Sequence, residues 1–74
     1  MLSQQMQVFL QVAECGSFTK AARRLLVTPA SVMKHINPLE DRLGVPLFKR
    51  DKNGVLMTAA GRSLVQDGKK MAAL

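Results

Sequence analysis

A mainly α fold, three helices carrying a β-hairpin and followed by a fourth helix, is predicted by three features of this sequence. Apolar residues recur at helical spacing in three separate stretches between Leu2 and Leu43. Only a few residues around Val27 separate the second stretch from the third. Beyond Pro46 the period changes to two short strand-like runs, Leu47-Phe48-Lys49-Arg50 and Val55-Leu56-Met57, on either side of Asp51-Lys52-Asn53-Gly54.

In the first stretch Leu2, Met6, Phe9, Leu10 and Ala13 share one helix face, with Gln4, Gln7, Gln11 and Glu14 mostly opposite. Gly16 ends this helix, and Ser17 offers a side-chain oxygen to the free amides of the next. Phe18, Ala21, Ala22, Leu25 and Leu26 form the second stripe, whose paired alanines let another helix approach closely. Thr28-Pro29 is a restart signal: the hydroxyl caps, and proline at the first helical position gives up an amide that has no partner there. Val32, Ile36, Leu39 and Leu43 define the buried face of the third helix, and Gly44-Val45-Pro46 stops it.

Pro38 lies inside that helix. It removes the hydrogen bond to the Lys34 carbonyl and predicts a bend, at a cost of about 3 kcal/mol in a straight helix. The Asn53-Gly54 pair suits a type I′ turn, whose central residues both need positive φ. Thr58 then caps a last helix with Gly61, Leu64, Val65, Gly68, Met71 and Ala72 on its less polar side. Its thin stripe and two glycines make it marginal alone, so it needs a partner surface. The whole reads as a winged helix-turn-helix over residues 1–57, with the wing at about 47–57, followed by a last helix over 58–74.

Composition narrows the function. Eleven Lys and Arg against five Asp and Glu give a net charge of +6 on 74 residues, which points to a polyanion, either nucleic acid or an acidic membrane face. The apolar side of the last helix lacks the aromatic and leucine content that membrane-surface binding prefers. No apolar stretch approaches the ~20 residues of a membrane span, and no signal peptide is visible. A cytoplasmic location is expected. One cysteine, Cys15, and one histidine, His35, allow no CxxC pair and no intramolecular zinc site. There is no glycine-rich phosphate loop and no nucleophile motif. Glu14, Glu40, Asp41, Asp51 and Asp67 are each explicable as solvated charges, so no enzymatic role is expected. With Phe9, Phe18 and Phe48 the only aromatic residues, all assigned to packing, a duplex fits better than a single strand, which is usually held by exposed rings.

If Val32, Ile36 and Leu39 are buried, Ala30, Met33, Lys34 and Asn37 share the opposite face of the third helix, over about 28–43. That face is either a solvated surface or a recognition surface for the major groove. In the second case Ala30 and Ser31 allow close approach, Lys34 reaches guanine or phosphate, and Asn37 contacts a base edge or the backbone. Lys49, Arg50 and Lys52 on the wing suit phosphates or the minor groove, and equally guard a strand edge against addition. Ser17 and Thr19, at the amides that open the second helix, form a candidate phosphate contact, although capping alone also explains Ser17. Leu64, Val65, Gly68, Met71 and Ala72 are the candidate dimerisation residues.

Several ordered blocks resemble the opening of LysR-type bacterial transcriptional regulators. They are Phe9-Leu10-Gln11-Val12-Ala13-Glu14, Gly16-Ser17-Phe18-Thr19-Lys20-Ala21-Ala22-Arg23-Arg24-Leu25, Thr28-Pro29-Ala30-Ser31-Val32, Ile36-Asn37-Pro38-Leu39-Glu40, Leu43-Gly44-Val45-Pro46-Leu47-Phe48-Lys49-Arg50 and Thr58-Ala59-Ala60-Gly61. The resemblance implies sequence-specific binding of double-stranded DNA, with the positions of Pro29, Ala30, Met33 and Lys34 facing the major groove and Arg50 serving the wing. It also implies a homodimer through the last helix. A larger C-terminal domain that binds a small-molecule co-inducer is implied as well; these 74 residues do not include it, and no cofactor is expected within them. Met33 departs from the serine common in the family, exchanging a hydroxyl contact for an apolar one to a thymine methyl.

Overall fold

The computed structural model describes residues 3–51 and 54–73, with the backbone alone for residues 51 and 71–73. Its elements are α1 (Gln4–Cys15), α2 (Phe18–Leu25), α3 (Pro29–Leu43), β1 (Phe48–Asp51), β2 (Gly54–Met57) and α4 (Ala59–Ala73). The predicted order of three helices, hairpin and helix is the observed one. Each predicted cap is made. Gly16 and Gly44 close α1 and α3 in the left-handed conformation, and Ser17 Oγ accepts from the Lys20 amide at 3.2 Å. Thr28 Oγ1 accepts from the Ser31 amide at 3.1 Å, and Thr58 Oγ1 from the Gly61 amide at 3.1 Å. α3 runs as one helix from Pro29 to Leu43 with Pro38 inside it and exposed.

The core lies where α1, α2 and α3 meet, each packed on the other two. Val8, Phe9 and Val12 of α1, Ala21 and Ala22 of α2, and Val32, Ile36 and Leu39 of α3 are buried in it with Leu47 and Phe48. Val8 and Val12 were not assigned to the core from spacing. The helix turns a wider arc inward than the stripe suggested, because α2 and α3 cover it from two sides and α4 from a third. Ala21 and Ala22 are essentially inaccessible, as close helix approach requires.

Two leucines depart from their predicted burial. Leu43, the last residue of α3 before the Gly44 cap, is 47% exposed. Leu26 is 90% exposed and is not helical. It adopts the left-handed conformation (φ 59°), with its amide donating to the Arg23 carbonyl and that of Val27 to the Ala22 carbonyl. These paired bonds close α2 in the way that usually calls for glycine. A leucine there carries a steric cost of about 1–2 kcal/mol with no burial to offset it.

The hairpin pairs Phe48 with Met57, Lys49 with Leu56, Arg50 with Val55 and Asp51 with Gly54. Gly54 (φ 128°) is therefore a strand residue paired with Asp51, where the Asn53-Gly54 signal suggests a central residue of the turn. Lys52 and Asn53 lie outside the described residues. The hairpin is tied to its neighbours through Leu47. Glu40 Oε2 accepts from the Leu47 amide at 2.6 Å and, at 3.4 Å, from that of Phe48. The Leu47 carbonyl accepts from the Thr58 amide at 3.0 Å. Glu40 was expected to be a solvated charge. It is half-buried instead and joins α3 to the wing.

The partner surface that α4 needs is partly supplied within the chain. Both of its glycines are buried. A Cβ at Gly61 would stand 2.3 Å from the Leu47 carbonyl oxygen, and one at Gly68 would stand 3.1 Å from Leu10 Cδ2. The glycines weaken the helix by propensity and let it lie against the chain.

Gly61→Ala should destabilise the domain by about 2 kcal/mol or more, since fixed backbone opposes the new methyl group. Gly68→Ala meets only flexible side-chain ends and should stay within about 1 kcal/mol of the parent, because helix propensity favours alanine by a similar amount. Urea unfolding of both variants checks the contrast. In the same assay Glu40→Ala, which leaves the Leu47 amide without its acceptor, should cost about 1–3 kcal/mol. Glu40→Gln, which keeps an acceptor oxygen, should cost clearly less.

Candidate nucleic-acid interface

Burial of Val32, Ile36 and Leu39 fixes which side of α3 remains open. Pro29, Ala30, Lys34 and Asn37 are exposed, and Met33 is half-buried beside them. The structure thus brings Ala30, Met33, Lys34 and Asn37 onto one face, beginning at the Thr28 cap. Ser31 does not join them. It is half-buried and faces α1, lining a shallow cleft with Gln4, Gln7 and His35.

The wing cations separate. Side chains alternate across the hairpin, so Phe48 and Arg50 turn towards the helices and Lys49 turns away. Lys49 is exposed opposite Leu56, itself 61% exposed. Lys52, the third member of the predicted cluster, lies outside the described residues. Arg50 instead joins the α3 face. Its guanidinium carbon lies 4.7 Å from the centroid of the Phe18 ring, and its Nη2 donates to Met33 Sδ at 2.9 Å.

Phe18 packs against the core as its place on the apolar face of α2 suggests, and its half-buried ring also supports Arg50, a role that the sequence does not show. No local signal announces this, because ring and cation belong to different elements and meet only through the fold. Phe18 sits at the start of α2, directly after the Ser17 cap, with Thr19 and Lys20 exposed beyond it. One edge of α2, one face of α3 and one side chain of β1 therefore form a surface with Arg50 at its centre and Lys34 along α3. Ser17 is half-buried, with its Oγ engaged by the Lys20 amide.

The candidate dimerisation residues divide. Leu64 and Val65 are half-buried and pack against the domain's own core. Gly68 is given over to α1, which removes it from any outer face of α4. The side chains of Met71 and Ala72 lie outside the described residues. No helix among the described residues is long and apolar enough to cross a membrane.

Residues 3–62 match the family model described as "Bacterial regulatory helix-turn-helix protein, lysR family". A curated relative, the HTH-type transcriptional regulator ClcR of Pseudomonas putida, is 40% identical over 67 residues, covering 90% of this chain and 23% of that protein. The chain thus spans less than a quarter of the length of the curated relatives it matches. Among solved structures, the CbnR DNA-binding domain in complex with DNA superposes with a TM-score of 0.90 at 34% identity, covering 99% of this chain and 84% of that one. The BenM DNA-binding domain in complex with catB site 1 DNA gives 0.91 at 32% identity, with 99% and 82% covered.

Proposed function

The chain belongs to the lysR family of bacterial regulatory helix-turn-helix proteins, and from that premise we propose that it binds double-stranded DNA sequence-specifically as the DNA-binding domain of a LysR-type transcriptional regulator. The observation that carries the reading is the open face of α3 beside Arg50: Ala30, Lys34 and Asn37 exposed on a helix whose other side is locked into the core. Such a helix enters the major groove by its N-terminal part. Pro29 and Ala30 allow close approach there, and Lys34 offers its ammonium to a guanine edge or a phosphate. Arg50, with Lys49 and Lys52, meets the backbone or the minor groove. Thr28, Ser17 and Thr19 lie at helix N-termini, whose amides favour phosphate oxygens.

On this reading residues 1–57 form the DNA-binding unit and residues 58–74 begin the linker helix. Two copies pair through the exposed parts of Leu64 and Val65 together with Met71 and Ala72, giving a dimer on a dyad-symmetric site. A small-molecule co-inducer acts on a further domain of a longer protein. The role is regulatory and not enzymatic, and a cytoplasmic location goes with it.

Selection from a random duplex library at near-physiological salt tests the proposal. Enrichment of an inverted repeat is the expected result. A half-site alone would remove the dimer, and tight low-salt binding without enrichment would remove the specificity. Two variants then test the placement of the surface. Lys34→Ala should lose about 1–3 kcal/mol of binding and change base preference if Lys34 reads a base. Arg50→Ala should weaken all sequences alike and lower the salt slope by about one. Titration of both variants on enriched and scrambled duplexes separates these behaviours, and parent-like binding by both would place the interface elsewhere.

A further inference from the structure

Arg50 is the point at which the wing meets α3. Arg50 is an exposed residue, yet its guanidinium is held at two points, by the Phe18 ring at 4.7 Å and by Met33 Sδ at 2.9 Å. The ring beneath it is itself braced, since Phe18 meets Phe48 edge-on with centroids 5.7 Å apart. Phe48 in turn packs on Phe9, with centroids 5.3 Å apart. A cation over an aromatic face is attracted by the ring's charge distribution, and a thioether sulfur is a weak acceptor on a flexible apolar stem. The sulfur engages one N–H of a group that has five, so the others remain available.

We propose that Met33 is a positioning residue for DNA binding: its sulfur, acting with the Phe18 ring, holds the Arg50 guanidinium in the angle between α3 and the wing. The inference rests on the reading of this surface as the DNA interface. A free arginine loses rotamer freedom when it grips a phosphate, and that loss is subtracted from its affinity. Arg50 has already lost much of it in the unbound domain. Met33 then acts through Arg50 and not through a base, which differs from the thymine-methyl contact that its place on α3 suggests. The pairing also joins wing and α3, so that both meet the duplex as one surface.

The test is a double-mutant cycle on the 74-residue chain with a mixed-sequence duplex at fixed low salt, and with the Tm of every variant measured alongside. Met33→Leu keeps the apolar bulk and removes the acceptor. It should weaken binding about fivefold, a loss typical of one coupled contact, without lowering Tm. Met33→Gln, of similar length and carrying a carbonyl acceptor, should restore affinity to within about twofold of the parent. In the Arg50→Ala background, Met33→Leu should change nothing further. Parent-like binding by Met33→Leu, a loss that adds in full to that of Arg50→Ala, or a failure of Met33→Gln to restore binding would each overturn the proposal and leave the DNA-binding reading in place. If Arg50→Ala bound the duplex as tightly as the parent, the proposal would fall together with the placement of Arg50 in the interface.

Discussion

The peptide unit of Leu47 is held on both sides, and the arrangement of the domain depends on it. Its amide donates to a carboxylate oxygen of Glu40 at 2.6 Å, its carbonyl accepts from the Thr58 amide at 3.0 Å, and its side chain is fully buried. Glu40 belongs to α3, and Thr58 opens α4. One residue therefore fixes α3, the hairpin and α4 relative to one another. The bond from a charged acceptor is of the stronger kind, about twice a neutral one. Gly61 completes the node: α4 lies close enough to the Leu47 carbonyl that a methyl group there would overlap it. A helix-turn-helix alone would leave the wing free to swing. Here the start of β1 is anchored on three sides before its first pair forms.

From that anchor the aromatic side chains carry order outward. Phe9 is buried and Phe48 packs on it, Phe18 packs on Phe48, and Arg50 rests on Phe18. The stack begins in the core and ends at the surface, which is why the only aromatic residues of the chain serve both stability and the proposed interface. α3 divides its circumference in the same economical way. Val32, Ile36 and Leu39 fix its rotation, and that rotation determines that Ala30, Lys34 and Asn37 are presented together. A polar contact on this face does not have to hold the helix in place. Burial on the other side does so, at roughly 1.5–3 kcal/mol for each large apolar side chain enclosed.

Charge plays a smaller part in holding the domain together. The ion pair between Glu14 and Arg24 spans 3.4 Å, with both side chains more than half exposed, and such pairs contribute ~0–1 kcal/mol. The surplus of cations is better understood as directed outward. A net charge of +6 favours a polyanion over the whole surface, whereas Lys34 and Arg50 lie on the proposed interface, where shape can make such an attraction specific.

The sequence by itself determined the element order, the hydroxyl and glycine caps and, as far as Leu39, the buried side of α3. Those depend on nearest neighbours along one helix or turn: a hydroxyl before a first amide, a glycine able to reach positive φ, apolar residues one turn apart. The tertiary structure decided what depends on meetings between elements. It placed Leu26 in the solvent as a left-handed cap with no glycine to mark it, and put Gly54 into β2 opposite Asp51. It sent Lys49 and Arg50 to opposite faces of the wing although they are adjacent in the chain. It also gave Glu40 a backbone partner in β1, Phe18 a cation from the wing, and the two glycines of α4 a surface within their own chain. Local spacing states which way a side chain points from its own backbone. What it meets there is set by the packing of helices and strands distant in the sequence, and those contacts leave no periodic trace in it.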